Sequence, residues 1–121
     1  MITGIHHVSL VVSDAERALA FYQSVLGLAQ VPRPELGFPG YWLDLGCGQT
    51  LHLLEVEDPY QFVERPQHPG RDRHIALSVD NLDDICTRLD HFKIAYKLSQ
   101  SGREAIFFMD PDLNVIELTE V

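Results

Sequence analysis

The chain opens with Gly4-Ile5-His6-His7-Val8-Ser9-Leu10-Val11-Val12-Ser13-Asp14, and sixty-seven positions later the pattern returns as Arg73-His74-Ile75-Ala76-Leu77-Ser78-Val79-Asp80. In both copies a histidine starts a short alternating apolar run that ends in a helix-start signal. His7, Leu10 and Val12 therefore match His74, Leu77 and Val79. A repeat of this kind means one structural unit written twice, each copy too small to bury its helix and its sheet face alone. In a chain of 121 residues, that constrains the fold more than composition does.

Ile5 to Val12 alternates as a strand does, with His6, Val8, Leu10 and Val12 on one face and His7, Ser9 and Val11 on the other. Ser13-Asp14-Ala15-Glu16 reads as a capping box, Ser13 accepting from the amide three residues on and Glu16 reaching back. The helix that follows carries Ala15, Ala18, Leu19, Tyr22, Val25 and Leu26 as one buried stripe, and Gly27 ends it. Val31 to Gly40 holds Pro32, Pro34, Gly37 and Pro39, which predicts an irregular loop or a bulged edge strand. Tyr41 to Leu45 and Thr50 to Val56 are strands around a turn at Gly46-Cys47-Gly48-Gln49.

The second half repeats the plan. Arg73 to Val79 is a strand, and Asp80-Asn81-Leu82-Asp83 starts a helix with Leu82, Ile85, Cys86 and Leu89 as its buried stripe. Ile94 to Leu98 is a short strand, and Ala105 to Met109 with Asn114 to Thr119 closes the chain as a hairpin around Asp110-Pro111-Asp112. The expectation is an α+β fold: two βαβββ modules forming a curved mixed sheet, a half-barrel cleft with the helices outside. By this reading residues 1–121 are one domain, with module one at 1–57, a connection at 58–72 rich in proline, glycine and charge, and module two at 73–121.

Superimposing the halves gives the histidines a purpose. The last strand of half one, Leu51-His52-Leu53-Leu54-Glu55, falls on Val115-Ile116-Glu117-Leu118-Thr119-Glu120 of half two with His52 over Glu117. The repeat thus puts a donor on the first and last strand of each half: His7 and His52, then His74 and Glu117. A carboxylate pointing into a sheet concavity costs several kcal/mol unless it is paired or coordinates a metal. Three imidazoles and a carboxylate suit one borderline divalent ion: zinc, nickel, cobalt, iron or manganese. Glu55 is a competing ligand ranked second, because it shares a face with Leu51 and Leu53. His6 reads as structural, His68 as a residue of the connecting loop with no role open to it but that of a mobile pocket residue, and His91 as a helix-end residue that is solvated or complements the dipole. Tyr41, Trp42, Phe38 and Phe107 are candidate cleft-lining aromatics, Trp42 a candidate substrate contact among them.

Composition narrows the partners. A formal charge of −9 argues against nucleic acid or an anionic membrane surface. No apolar run approaches the ~20 residues that span a bilayer. The first residues enter a strand pattern directly, and Cys47 and Cys86 sit in no metal or redox spacing, so a cytoplasmic protein with reduced thiols is expected.

The histidine-anchored Val8-Ser9-Leu10-Val11-Val12, with Ala20-Phe21-Tyr22, Leu26-Gly27-Leu28, Gly70-Arg71-Asp72-Arg73-His74-Ile75-Ala76 and Phe107-Phe108-Met109-Asp110-Pro111-Asp112-Leu113-Asn114-Val115-Ile116-Glu117-Leu118, resembles the vicinal oxygen chelate superfamily. This is the glyoxalase, bleomycin-resistance and dioxygenase group, and the resemblance covers nearly the whole chain. It implies paired modules forming a cleft around one divalent metal, and a homodimer in which modules from two chains complete each site. Family ligand positions carry over to His7, His74 and Glu117. Glyoxalase I has a metal-bound glutamate where this chain has His52, so the catalytic base here would be Glu117 or a metal hydroxide.

The leading expectation is glyoxalase-type lyase or isomerase chemistry on a small substrate, a thiol adduct among the candidates, that chelates the ion through neighbouring oxygens. Thiol transfer of the fosfomycin-resistance type is an alternative, with Arg103 and Arg71 holding an anionic group. Ring-cleaving oxygenation at a two-histidine, one-carboxylate centre and non-catalytic small-molecule binding are the others.

Overall fold

The computed structural model describes all residues, Met1–Val121, and they form two compact units, Met1–Gln61 and Phe62–Val121. The boundary falls inside the connection expected from sequence. In the first unit the order is β1 (His7–Val12), α1 (Ala15–Leu26), β2 (Gln30–Val31), β3 (Gly40–Gly46) and β4 (Gln49–Glu55). In the second it is a 3₁₀ turn (Pro69–Arg71), β5 (His74–Val79), α2 (Leu82–His91), β6 (Tyr96–Leu98), β7 (Ala105–Met109) and β8 (Val115–Glu120). Both are βαβββ modules, and the expected sheet is realised as two four-stranded mixed sheets, ordered β1-β4-β3-β2 and β5-β8-β7-β6.

The two sheets share a wiring rule. The first strand of each module pairs in parallel with the last, β1 with β4 and β5 with β8, and the remaining ladders are antiparallel. A parallel pair needs a crossover connection, and here it runs through the helix and the two strands that follow it. In unit one α1 buries Ala15, Ala18, Tyr22 and Val25, while the sheet buries Val12, Leu43, Leu51 and Leu53. In unit two α2 buries Leu82 and Leu89, and β7 and β8 bury side chains on both faces, from Ala105 to Phe108 and from Val115 to Leu118. Fully burying a leucine such as Leu53 contributes about 1.5–3 kcal/mol. Gly40 is required where it stands, because a Cβ there would lie 2.3 Å from the Leu53 carbonyl oxygen.

Several local expectations are corrected. The N-cap of α1 is Asp14 rather than Ser13: Asp14 accepts from the Arg17 amide, while Ser13 Oγ accepts from the Arg17 guanidinium. Glu16 does not reach back to a backbone amide but accepts from the Tyr41 hydroxyl. His6 lies before the strand, exposed, with its Nδ1 2.9 Å from that of His7, rather than on a helix-facing side. His68 is more than a loop residue, since it caps the 3₁₀ turn by accepting from the Gly70 amide. Strand ends differ by one or two residues: β1 begins at His7, β6 at Tyr96, and β8 runs on to Glu120.

Candidate metal centre

In unit one, β1 puts Ser9 opposite His52 on β4, and β3 puts Trp42 opposite His52 from the other side. Cross-strand partners point to one face, and so does His7, two residues before Ser9. Three flat rings result in a row. Trp42 stacks on His52 at 4.2 Å between centroids and 7° between planes, and His52 stacks on His7 at 4.2 Å and 12°. Thr50 Oγ1 lies 2.9 Å from His52 Nε2. Burial first, then the positive charge of His7, His6 and Arg33, lowers the His52 pKa below its ordinary value. Both causes favour the neutral ring, the form in which imidazole offers a lone pair to a metal.

Unit two uses the same register with different side chains. Glu117 on β8 lies opposite Ala76 on β5 and Phe107 on β7, as His52 lies opposite Ser9 and Trp42. Glu117 and His52 thus hold equivalent places, as the superposition of the halves requires. The Glu117 side chain is only 3% exposed, and both of its oxygens are engaged. Arg103 Nη2 donates to Oε1 at 2.9 Å and Thr119 Oγ1 to Oε1 at 3.2 Å, while His74 Nε2 lies 3.1 Å from Oε2. His74 Nδ1 lies 2.8 Å from the Asp72 carbonyl oxygen. A carbonyl can only accept, so Nδ1 carries a proton in that bond, and Nε2 is the atom turned toward Glu117.

The donor chemistry fits a divalent ion. Two neighbouring ligands with bonds of about 2.1 Å, set at right angles, stand about 3.0 Å apart. His74 Nε2 and Glu117 Oε2 stand 3.1 Å apart. Each is fixed through its far atom, His74 by a backbone carbonyl and Glu117 by Arg103 and Thr119, as outer partners fix metal ligands elsewhere. Unit one brings two imidazoles together, their rings parallel rather than convergent. Neither unit gathers three side chains able to hold a metal by itself.

Other candidates are placed as follows. Arg103, expected at a substrate's anionic group, has its guanidinium on Glu117. Arg71 is exposed at the end of the 3₁₀ turn. Glu55, the rival ligand, accepts from the Ala15 amide at 2.9 Å and so serves the start of α1. His91 lies in the last turn of α2. Sequence reasoning passed over Arg33, which with Ser9, Leu36, Phe38, Trp42 and His52 lines a recess of about 70 Å³. The signal was available, since an arginine between Pro32 and Pro34 sits on backbone whose φ is fixed on both sides.

A βαβββ module used twice, with a histidine on the first strand of each copy and a histidine or glutamate at one matched register on the last, defines a paired-module protein. Residues 4–118 match the Glyoxalase/Bleomycin resistance protein/Dioxygenase superfamily, and the chain belongs to it. It is 32% identical to Glyoxylase I 4 of Arabidopsis thaliana over 97% of this chain and 70% of that protein. It is also 32% identical to the lactoylglutathione lyase of Salmonella typhimurium, over 94% of this chain and 90% of that enzyme. Among solved structures, the fosfomycin resistance protein FosX of Listeria monocytogenes, complexed with Mn(II) and a dihydroxypropylphosphonic acid, superposes with a TM-score of 0.77. That likeness spans 99% of this chain and 93% of FosX at 22% identity, and it concerns the fold. No helix of the chain is long and apolar enough to cross a membrane.

Proposed function

We propose that the protein is a divalent-metal-dependent enzyme of glyoxalase type, a lyase or isomerase acting on a small substrate that chelates the ion through two neighbouring oxygens. His7, His52, His74 and Glu117 are its ligands. The two donor pairs meet in a homodimer, where a module of one copy faces a module of the other. The observation that carries this reading is the common register of His52 and Glu117, together with the 3.1 Å approach of His74 Nε2 to Glu117 Oε2. Relatives bearing the names glyoxylase and lactoylglutathione lyase at 32% identity support the reaction class.

A bound divalent ion supplies Lewis-acid polarisation of the substrate oxygens. The chain's own residues do the rest. Glu117 is the carboxylate available as base: Arg103 and Thr119 hold its Oε1 by hydrogen bonds, and its Oε2 faces His74 Nε2. Trp42 and Phe107 flank the donors on the neighbouring strands and limit water around them. Arg71 and Trp42 remain candidate contacts for the substrate's outer part.

The test is hemithioacetal isomerisation by the purified protein loaded in turn with nickel, cobalt, zinc and manganese, alongside its sedimentation behaviour. Turnover with at least one ion and a dimer in solution are expected. No turnover with any ion and several thiols rejects the glyoxalase assignment. Failure to take up an ion rejects the centre itself.

A further inference from the structure

Unit one contains only two lysine or arginine side chains, Arg17 and Arg33. Arg17 bonds to Ser13 at the start of its helix, as expected of a surface arginine. Arg33 is different. It is half-buried, its Nη2 donates to the Phe38 carbonyl at 2.9 Å, and its guanidinium carbon lies 5.0 Å from the centre of the Phe38 ring. A Cβ on Gly40 would come within 3.1 Å of Nη2, so the glycine leaves the guanidinium its place.

No carboxylate answers this cation, although three stand around the open groove on its other side, Glu16, Glu35 and Glu55. Glu16 accepts from the Tyr41 hydroxyl, Glu35 from the Gly37 amide and Glu55 from the Ala15 amide. In a chain of net charge −9, an arginine anchored through one nitrogen and left without an acidic partner is an unspent recognition element. It opens on the recess of about 70 Å³ that it shares with Trp42 and His52.

We propose that Arg33, framed by Phe38, Trp42 and His52, is a carboxylate-recognition subsite flanking the His7–His52 pair, and that the substrate carries a carboxylate on a compact or flat apolar arm. A guanidinium offers two parallel N–H bonds to a carboxylate, and desolvation beside aromatic rings strengthens them. The recess of about 70 Å³ has room for a carboxylate group. A dianion such as a phosphonate would find only one cation there. Trp42, which lines the recess and stacks on His52 by one ring face, offers its ring to a flat substituent. The inference names the substrate class of the proposed centre and rests on that reading for turnover, not for binding.

The test uses the full chain, metal-free and metal-loaded, with benzoate as probe, benzamide as its neutral counterpart and phenylphosphonate as the dianion. Trp42 is the sole tryptophan, so its fluorescence reports the recess directly, and calorimetry gives the affinity. Benzoate should quench Trp42 and benzamide should not. Arg33→Met should weaken benzoate at least tenfold and Arg33→Lys less, with metal still taken up by both. Since Arg33→Met also frees the Phe38 carbonyl and could disturb the loop, the benzoate–benzamide comparison on the unaltered protein is decisive by itself. Equal binding of the two probes, or full benzoate affinity in folded Arg33→Met, overturns the proposal. Tighter binding of phenylphosphonate overturns the carboxylate assignment. Benzoate binding without ion uptake sinks the metal centre and leaves the subsite standing; ion uptake without benzoate binding does the reverse.

Discussion

Glu55 and Glu120 end the two parallel ladders, opposite Val12 and Val79. Each sends its carboxylate to the first amide of its own module's helix. Ala15 N–H donates to Glu55 Oε1 at 2.9 Å and Leu82 N–H to Glu120 Oε2 at 2.7 Å. The first four amides of a helix have no partner inside it. Asp14 and Asn81 satisfy one each, at Arg17 and Asp84, and the strand-end glutamates satisfy another. A hydrogen bond to a charged group contributes about 1.5–3 kcal/mol, and a negative charge at a helix N-terminus about 0.3–1 kcal/mol more. Glu55 is half-buried and Glu120 exposed, so solvent discounts the second more heavily. Glu55→Ala should then cost about 2 kcal/mol and Glu120→Ala about 1 kcal/mol. For a chain of this size each kcal/mol is about 3–6 °C in melting temperature. Glu55→Gln keeps an acceptor and loses the charge, and should fall about midway. Thermal and urea unfolding read the stability, and equilibrium dialysis reads the metal content, which should not change in any of the three. A Glu55→Ala protein that melts normally but no longer holds metal would make Glu55 a ligand and refute the capping argument.

Three further outcomes test the centre. His74→Ala and Glu117→Ala should each lose metal in dialysis while circular dichroism shows the fold retained. Arg103→Met, which removes the donor on Glu117 Oε1, should weaken ion binding by about 10–100-fold without abolishing it; unchanged affinity would leave Arg103 no role in holding the carboxylate. His52 has a folded pKa below its unfolded value of about 6.5, so its contribution to stability is complete above that pH and is lost as pH falls toward the folded value. NMR titration of the His52 ring should give a midpoint below that of free histidine, and His52→Gln should flatten that part of the acid limb of a stability–pH curve.

The sequence carried the architecture because the repeat and the strand alternation are both local signals. His7 matching His74 follows from position alone, and His52 matching Glu117 needs only a two-residue change of offset across the loops. Both hold in the ladder registers. Side-chain destinations were harder to read. Ser13 and Asp14 are both good cap residues, and only the folded chain shows that Arg17 takes the serine hydroxyl and leaves the cap to Asp14. The Glu55 bond spans forty residues, the Arg103 bond to Glu117 spans fourteen, and the Trp42–His52 stack depends on pairing between neighbouring strands. No periodicity encodes a rotamer. Arg33 was missed for the same reason, since in sequence it is one charge in a proline-rich loop.

The duplication also separates what the two modules must share from what they may vary. The helix-capping glutamates are the same residue type at the same register in both, because each helix presents the same unsatisfied amides. At the register shared by His52 and Glu117 the modules diverge: an imidazole between two rings in one, a buried carboxylate between an arginine and a histidine in the other. A set of three imidazoles and one carboxylate would leave a divalent ion with net charge +1, and Arg103 and Arg33 add to it. A centre so charged favours a substrate that is itself an anion when it chelates, and disfavours a neutral one. The same arithmetic links the two proposals made from different residues. Replacing Glu117 with glutamine should shift the preference further toward anionic ligands if any ion is retained, whereas replacing Arg33 with methionine should shift it back. Competition between benzoate and benzamide at the two variants measures both shifts, and shifts of the same sign would break the link.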